Sequence, residues 1–350
     1  MVAGVTAAGV TAWELTTVGD DVAVAHSIGE PQPQVRRWPE LDPGSDHELE
    51  GLAFRTLDRP PGEPLATVCT VNDVHFGETE CGVIEGMEAG PIFRSEPGDE
   101  PYPDVMNRGA IAEIVAVDPD AVLVKGDLTT HGTHEEFGMF LDRYEGAFGE
   151  RLSYVRGNHD CTIGEEFAAD APFEVTLPGV VLAVLDTAIP YMATGQVSAE
   201  QLEWLDELGA RADRPVLVFG HHHPWNPGSR QRPENYFGIN PDDSERLIDV
   251  VARRPALRGY FAGHTHRNRV RHFGATGAVP WVEVSCVKDY PGAWAEYRVF
   301  EGGILQLVHR ISAPEALEWS EKTRAMFAGT YHTYALGELK DRCFEVPGRG

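Results

Sequence analysis

Five short polar motifs stand directly behind strand-like apolar runs: Asp73-Val74-His75, Gly126-Asp127, Gly157-Asn158-His159-Asp160, His221-His222-His223-Pro224 and Gly263-His264-Thr265-His266. Their side chains offer carboxylate and amide oxygens and imidazole nitrogens, the donors that hard or borderline divalent cations take, and no cysteine stands among them. Two such ions held about 3.5 to 4 Å apart need a bridging carboxylate and open positions, and can then clamp both ends of an in-line displacement at phosphorus. Asp73 and His75 alternate, so a continued strand would turn both to one side. Asp127 follows Gly126, which permits a tight exit from the strand, and its two oxygens suit a bridge. Asn158 adds a neutral amide oxygen that leaves an ion Lewis acidic.

The elements that must position these motifs alternate strand and helix, which indicates parallel strands with helices packed outside. Strands are expected at 65–71, 121–125, 152–156, 180–186, 215–219, 259–262, 279–285 and 295–300. Each of the five motifs then lies beyond a strand's carboxyl end, where ligands gather in open α/β sheets. Capping-box pairs, Thr133 with Glu136, Ser198 with Gln201 and Ser312 with Glu315, mark helix starts. Leucine and aromatic residues recur at helical spacing behind the first two, and further helices are expected at 244–254 and 314–327. Two irregular stretches, 76–106 and 225–242, each follow a motif; loops this long inside a compact domain are usually functional, and they read as walls or lids. His131, His134, His309 and His332 follow no strand in this way and read as packed or solvated residues.

The length of 350 residues suits one large domain or two. Residues 1–62 read as a small all-β segment closed by the linker Asp58-Arg59-Pro60-Pro61-Gly62, and residues 313–350 as a C-terminal helix and tail. Within the first, Leu41-Asp42-Pro43-Gly44-Ser45 and Phe54-Arg55-Thr56 resemble the closing half of a fibronectin type III-like module. The aromatics Trp319, Phe327, Tyr331, Tyr334 and Phe344 either fold back on the domain or pack across a partner in a homo-oligomer. A net charge of −26 offers no cationic footprint for duplex nucleic acid. No signal-peptide pattern and no membrane span is read, and five scattered cysteines read as reduced thiols of a cytoplasmic protein.

In type and order, the motifs resemble the ligand series of the calcineurin-like metallophosphoesterase superfamily, over roughly residues 64–310. The resemblance implies an α/β fold with a two-sheet β-sandwich core, residues 63–312, flanked by helices. It assigns Asp73, His75, Asp127 and His266 to a first metal ion, and Asp127, Asn158, His222 and His264 to a second, divalent or mixed-valence, drawn from Fe, Mn, Zn or Co. His222 is chosen because it stands two residues before Pro224, leaving His221 and His223 as neighbours. A metal-bridging hydroxide would attack phosphorus in line, with Asn158 and His159 touching the substrate. His159 would serve the leaving group, and Asp160 either orients His159 or holds the turn.

Departures narrow the branch. Thr130 stands where purple acid phosphatases place a tyrosine, and the Asp-Arg-Gly continuation of protein phosphatases is missing after Gly126-Asp127. The stretches 126–137, Leu185-Asp186-Thr187 and 198–205 resemble the class III cyclic nucleotide phosphodiesterase and glycerophosphodiesterase branch. A phosphodiesterase of small phosphorylated molecules, cyclic nucleotides included, is therefore expected. The alternatives are a phosphomonoesterase or nucleotide pyrophosphatase on the same site, and a non-catalytic metal-binding scaffold.

Overall fold

A computed structural model describes residues 12–29, 32–83, 89–164 and 166–347. The chain opens with strands β1 (Ala12–Val18), β2 (Ala23–Ile28) and β3 (Val35–Trp38) in an antiparallel sheet, then a hairpin of β4 (Asp46–Leu49) and β5 (Leu52–Arg55). There follow β6 (Pro64–Val71), α1 (Tyr102–Val117), β7 (Ala121–Lys125), α2 (His134–Phe148), β8 (Leu152–Val155), β9 (Phe173–Leu177), β10 (Val180–Val184), α3 (Ala199–Arg211), β11 (Val216–Phe219), α4 (Pro241–Arg253) and β12 (Leu257–Ala262). The last part holds β13 (Arg269–Arg271), β14 (Trp281–Glu283), β15 (Ala293–Phe300), β16 (Gly303–Arg310), α5 (Pro314–Thr323), α6 (Tyr331–Leu336), α7 (Leu339–Arg342) and β17 (Cys343–Val346).

Two mixed six-stranded sheets form the body, ordered β17-β16-β15-β6-β7-β8 and β13-β14-β12-β11-β10-β9. The strands that carry the motifs run parallel: β6 with β7 and β7 with β8 in one sheet, β11 with β12 in the other. Their sequences alternate inner and outer faces, as the period of two requires. Between the sheets, Val68 of β6, Leu123 of β7 and Tyr297 of β15 pack with Val180, Leu182 and Val184 of β10, Leu217 and Phe219 of β11, and Phe261 of β12. On the outer faces, Val122 and Val124 meet α1 and α2 residues such as Met106, Ile114, Phe140 and Tyr144. Val216 and Val218 meet Leu202, Leu205, Leu247 and Val251 of α3 and α4.

Local signals explain some boundaries and fail at others. The Thr133 hydroxyl accepts from the Glu136 amide at 3.2 Å, and the Glu136 carboxylate accepts from the Thr133 amide at 3.3 Å, closing the expected capping box. At α3 the Ser198 hydroxyl accepts from the Gln201 amide at 3.2 Å, but the Gln201 carboxamide bonds the Asp186 backbone instead of closing the box. The box expected from Ser312 and Glu315 is not formed: α5 starts at Pro314 without a side-chain cap, and Glu315 takes Arg108 at 2.8 Å. Helix α1 lies beyond the sequence reading and takes up the end of the irregular stretch 76–106. It has no side-chain cap and contains Gly109, whose missing Cβ lets Ile311 and Ala316 approach, so contacts with α5 rather than local propensity hold it.

Strands β9, β13, β16 and β17 also go beyond the sequence reading. In β16 all eight residues are buried, and its last two side chains are partnered: His309 with Glu296 at 2.8 Å and Arg310 with Glu321 at 2.9 Å. The N-terminal sheet is fastened to this region. The Thr17 hydroxyl donates to the Val308 carbonyl at 2.7 Å, and Arg298 reaches Asp20 and Asp21 at 2.8 and 2.7 Å. The start of the segment read as all-β, residues 1–11, lies outside the described residues. The C-terminal aromatics fold back: Trp319 stacks on Tyr102 with ring centroids 4.3 Å apart. Among the described residues no helix is long and apolar enough to cross a membrane.

Leu123 is packed between the two sheets, so Leu123→Ala is expected to cost about 2 to 5 kcal/mol of unfolding free energy, measured by urea titration. Val115→Ala, on the exposed face of α1, should stay within about 0.5 kcal/mol.

Candidate metal centre

The motif residues do not continue their strands. Strand β6 ends at Val71, and Asp73, His75, Asp127, His264 and His266 all adopt left-handed backbone with φ of 54°, 46°, 48°, 66° and 53°. The alternation expected for Asp73 and His75 on a continued strand is therefore replaced by tight turns. Asp and His tolerate this region better than most residues, yet each such position costs on the order of 1 to 3 kcal/mol and persists only where its surroundings enforce it. Here the turns enforce one another. The Asp73 amide donates to the Gly126 carbonyl at 3.0 Å, and the Val74 and His75 amides donate to the Asp127 carbonyl at 3.0 and 2.9 Å. The His264 amide donates to both Asp73 oxygens at 3.1 Å.

These turns bring all seven expected ligand residues together, with Asp127 in the middle. Its Oδ1 accepts from the His159 amide at 2.9 Å, and its Oδ2 lies 3.4 Å from His75 Nε2 and 3.3 Å from His221 Nε2. Asp73, His75 and His266 converge on one side, with His266 Nε2 3.5 Å from Asp73 Oδ1. His221, His222 and His264 converge on the other, and Asn158 Oδ1 lies 3.2 Å from His221 Nε2. Two glycines make room. A Cβ on Gly157 would stand 2.3 Å from Asp127 Oδ1, and one on Gly126, at φ 84°, would stand 2.5 Å from the His221 ring.

The donor set fits cations. Both nitrogens of His75, and Nε2 of His222 and of His264, are buried without a hydrogen-bond partner, which is costly unless something else takes their lone pairs. Burial, with positive neighbours, holds His222 and His264 well below the usual histidine range, so both are neutral, the form that binds metal. Burial likewise lowers His75. Burial works against charge on His221 too, but Asp127 and Asp73 outweigh it and raise this group to about 9.

One placement differs from the sequence reading, and Asp160 takes one of the two roles read for it. His221, read as a neighbour of the ligand His222, reaches as deep into the centre as His222 does. Its position after Gly220 repeats Gly126-Asp127, Gly157-Asn158 and Gly263-His264, a signal that competes with the spacing to Pro224. Asp160 does not touch the His159 ring. Its carboxylate accepts from the amides of Leu128 at 3.1 Å, Thr129 at 2.8 Å and Gly157 at 2.7 Å and from the Thr129 hydroxyl at 2.7 Å, so it holds the turns. His159 is oriented instead by the Thr130 carbonyl, which accepts from Nδ1 at 2.8 Å. Asp289, which carries no strand-end motif, lies 3.8 Å from His266 Nδ1 and is held by Lys288 at 3.1 Å and the Tyr331 hydroxyl at 2.7 Å.

Above the centre lies a cleft of about 480 Å³ lined by Asp127, Asn158, His159, His264 and His266 and by Val83, Phe237, Phe327, Tyr331 and Tyr334. Each irregular stretch thus contributes to its wall, and the C-terminal segment adds a third side. A larger cleft of about 750 Å³, between residues 92–105 and α5, shares none of these residues, and among the described residues no group of converging His, Cys, Asp or Glu donors lies in it.

The sequence profile of the calcineurin-like phosphoesterase family matches residues 66–268, and the chain belongs to that family. It is accordingly a hydrolase of phosphate esters, in a family that depends on metal. The chain is 28% identical over 241 residues to a probable glycerophosphodiester phosphodiesterase of Arcobacter nitrofigilis, covering 64% of this chain and 85% of that one. It is 30% identical over 159 residues to a cAMP/cGMP dual specificity phosphodiesterase of Mycobacterium tuberculosis, covering 42% and 49%. A dimetal phosphatase from Danio rerio shares the fold, with a TM-score of 0.52 at 15% identity, over 71% of this chain and all of that one.

Because Asp160 satisfies three backbone amides, Asp160→Asn should lower unfolding free energy by about 1 to 3 kcal/mol in a denaturant titration. Unchanged stability with lost turnover would return Asp160 to a role on His159.

Proposed function

We propose that the protein holds two divalent cations and hydrolyses small phosphodiesters. The observation that carries this reading is the convergence of five strand-end motifs on Asp127, with buried imidazole nitrogens left unpartnered at the floor of an open cleft. Asp73, His75, Asp127 and His266 would hold one cation; Asp127, Asn158, His264 and His222, with His221 beside it, would hold the other. Bound there, the cations would supply Lewis acidity toward phosphoryl oxygens and make water a nucleophile near neutral pH.

The chain's own residues do the rest. The His159 amide fixes Asp127, and its ring faces the cleft with Nδ1 committed to Thr130, so Nε2 is the atom free to meet a leaving oxygen. When the ring is protonated, Nε2 carries the proton that stabilises the departing charge. No Lys or Arg lines the cleft among the described residues, so the second negative charge of a monoester finds no side-chain partner. A diester, with one charge, suits this wall better, in keeping with the phosphodiesterase names of the relatives. The five cysteines are buried and unpaired, which supports a reducing, cytoplasmic setting.

Asp127→Ala is expected to lose bound metal, measured by elemental analysis, and to lower turnover by about a thousandfold or more. Full metal content and activity in that variant would overturn the scheme. In the unaltered protein, kcat/KM for an aryl phosphodiester should exceed that for the matched monoester; the reverse order would make the protein a phosphomonoesterase.

A further inference from the structure

The outer wall of the cleft is built from residues that the metal chemistry does not use. Phe327, Tyr331 and Tyr334 come from the C-terminal segment, beyond the matched residues 66–268, and Phe237 comes from the loop after β11. Phe237 lies against the His264 ring, with centroids 3.9 Å apart, yet remains 54% exposed; Tyr334 is 44% exposed. Tyr334 is nonetheless fixed, its hydroxyl donating to the Thr265 carbonyl at 3.0 Å, its ring lying 25° from that of Tyr331 and the Arg267 guanidinium standing 5.1 Å from its centroid, so Phe237 presents the more open face. Held aromatic faces that stay open beside a reaction centre are surfaces for a ligand.

We propose that Phe237, Phe327 and Tyr334 form a recess that stacks a neutral planar aromatic group of the phosphate ester, an inference that rests on the phosphoesterase reading of the same site. Aromatic esters, nucleoside esters among them, would then be preferred over esters of glycerol or other flexible alcohols. The composition of the wall selects among occupants. A second phosphate would meet no Lys or Arg on the lining, Arg267 against the Tyr334 ring being paired with Glu283 at 2.7 Å, and a quaternary ammonium, which aromatic faces also attract, is the competing occupant that the titration separates. A polyol would find few free partners on this wall, since the hydroxyls of Thr330, Tyr331 and Tyr334 already donate to Phe327, Asp289 and Thr265. A flat apolar ring gains from stacking without needing a charged partner. The volume of about 480 Å³ is in the usual range for small-molecule sites.

The test uses two phosphonates, which carry no ester bond, and phosphocholine with phosphate release checked in parallel, so that leaving-group reactivity does not enter. Phenylphosphonate, propylphosphonate and phosphocholine are titrated calorimetrically into the metal-loaded protein. Phenylphosphonate is expected to bind roughly tenfold more tightly than propylphosphonate. Tyr334→Leu and Phe237→Leu should each reduce that ratio by about threefold or more, while Tyr334→Phe keeps it. Metal content and unfolding midpoint, measured on every variant, separate loss of the recess from loss of the fold. Equal affinity for the phenyl and propyl ligands, a ratio unmoved by both leucine variants, or tightest binding of phosphocholine would overturn the recess while leaving the phosphoesterase reading intact. Failure of every ligand to bind, with no diester turned over, would overturn both.

Discussion

The Asp127 carboxylate is the group on which the centre closes. It is almost completely buried, and its backbone carbonyl receives the amides of Val74 and His75 while its side chain faces His75, His159 and His221. One residue therefore fixes the turn after β6 through its main chain and gathers three other motifs through its side chain. Taking an ionised carboxylate out of water costs several kcal/mol unless opposite charge replaces the lost solvent. His221, held protonated by Asp127 and Asp73, supplies such a charge, and His266 does the same beside Asp73. A cation held there would take over that role and displace those protons.

This arrangement needs the two sheets to be stacked. Asp73, Asp127 and Asn158 follow β6, β7 and β8 of one sheet, whereas His221, His222, His264 and His266 follow β11 and β12 of the other. Neither sheet carries the full donor set, so the interlayer packing of Leu123, Leu182, Phe219 and Phe261 sets the distance between its halves. The left-handed turns at the strand ends are tolerated for the same reason: the core and the cross-turn hydrogen bonds fix their ends.

What was legible in the sequence was what depends on nearby residues. The apolar runs of β6, β7 and β11, the Thr133–Glu136 box and the strand-end position of the ligands are local features, and each was readable. Helix α1 and strand β16 were not, because Gly109 and the buried Gln306, His309 and Arg310 look unfavourable until their partners on distant segments are known. At the histidine run two local cues disagreed. Spacing to Pro224 selects His222, spacing from Gly220 selects His221, and the structure brings both to the centre.

The C-terminal wall shows how the remote parts of the chain bear on the cleft. Arg342 is buried, and its guanidinium donates to the Leu336 and Gly337 carbonyls at 2.8 Å, at the end of the segment that carries Tyr331 and Tyr334. The same guanidinium donates to the Thr16 carbonyl at 2.9 Å and the Leu15 carbonyl at 2.8 Å in β1. At its other side the segment is tied to the centre through Tyr331, Asp289 and His266. Among the described residues the N-terminal sheet contributes none to the cleft, yet through Arg342 it holds one wall in place. Since a recess that stacks a flat ring works only if its faces keep their separation, the sheet's mechanical role and the cleft's selectivity are parts of one constraint.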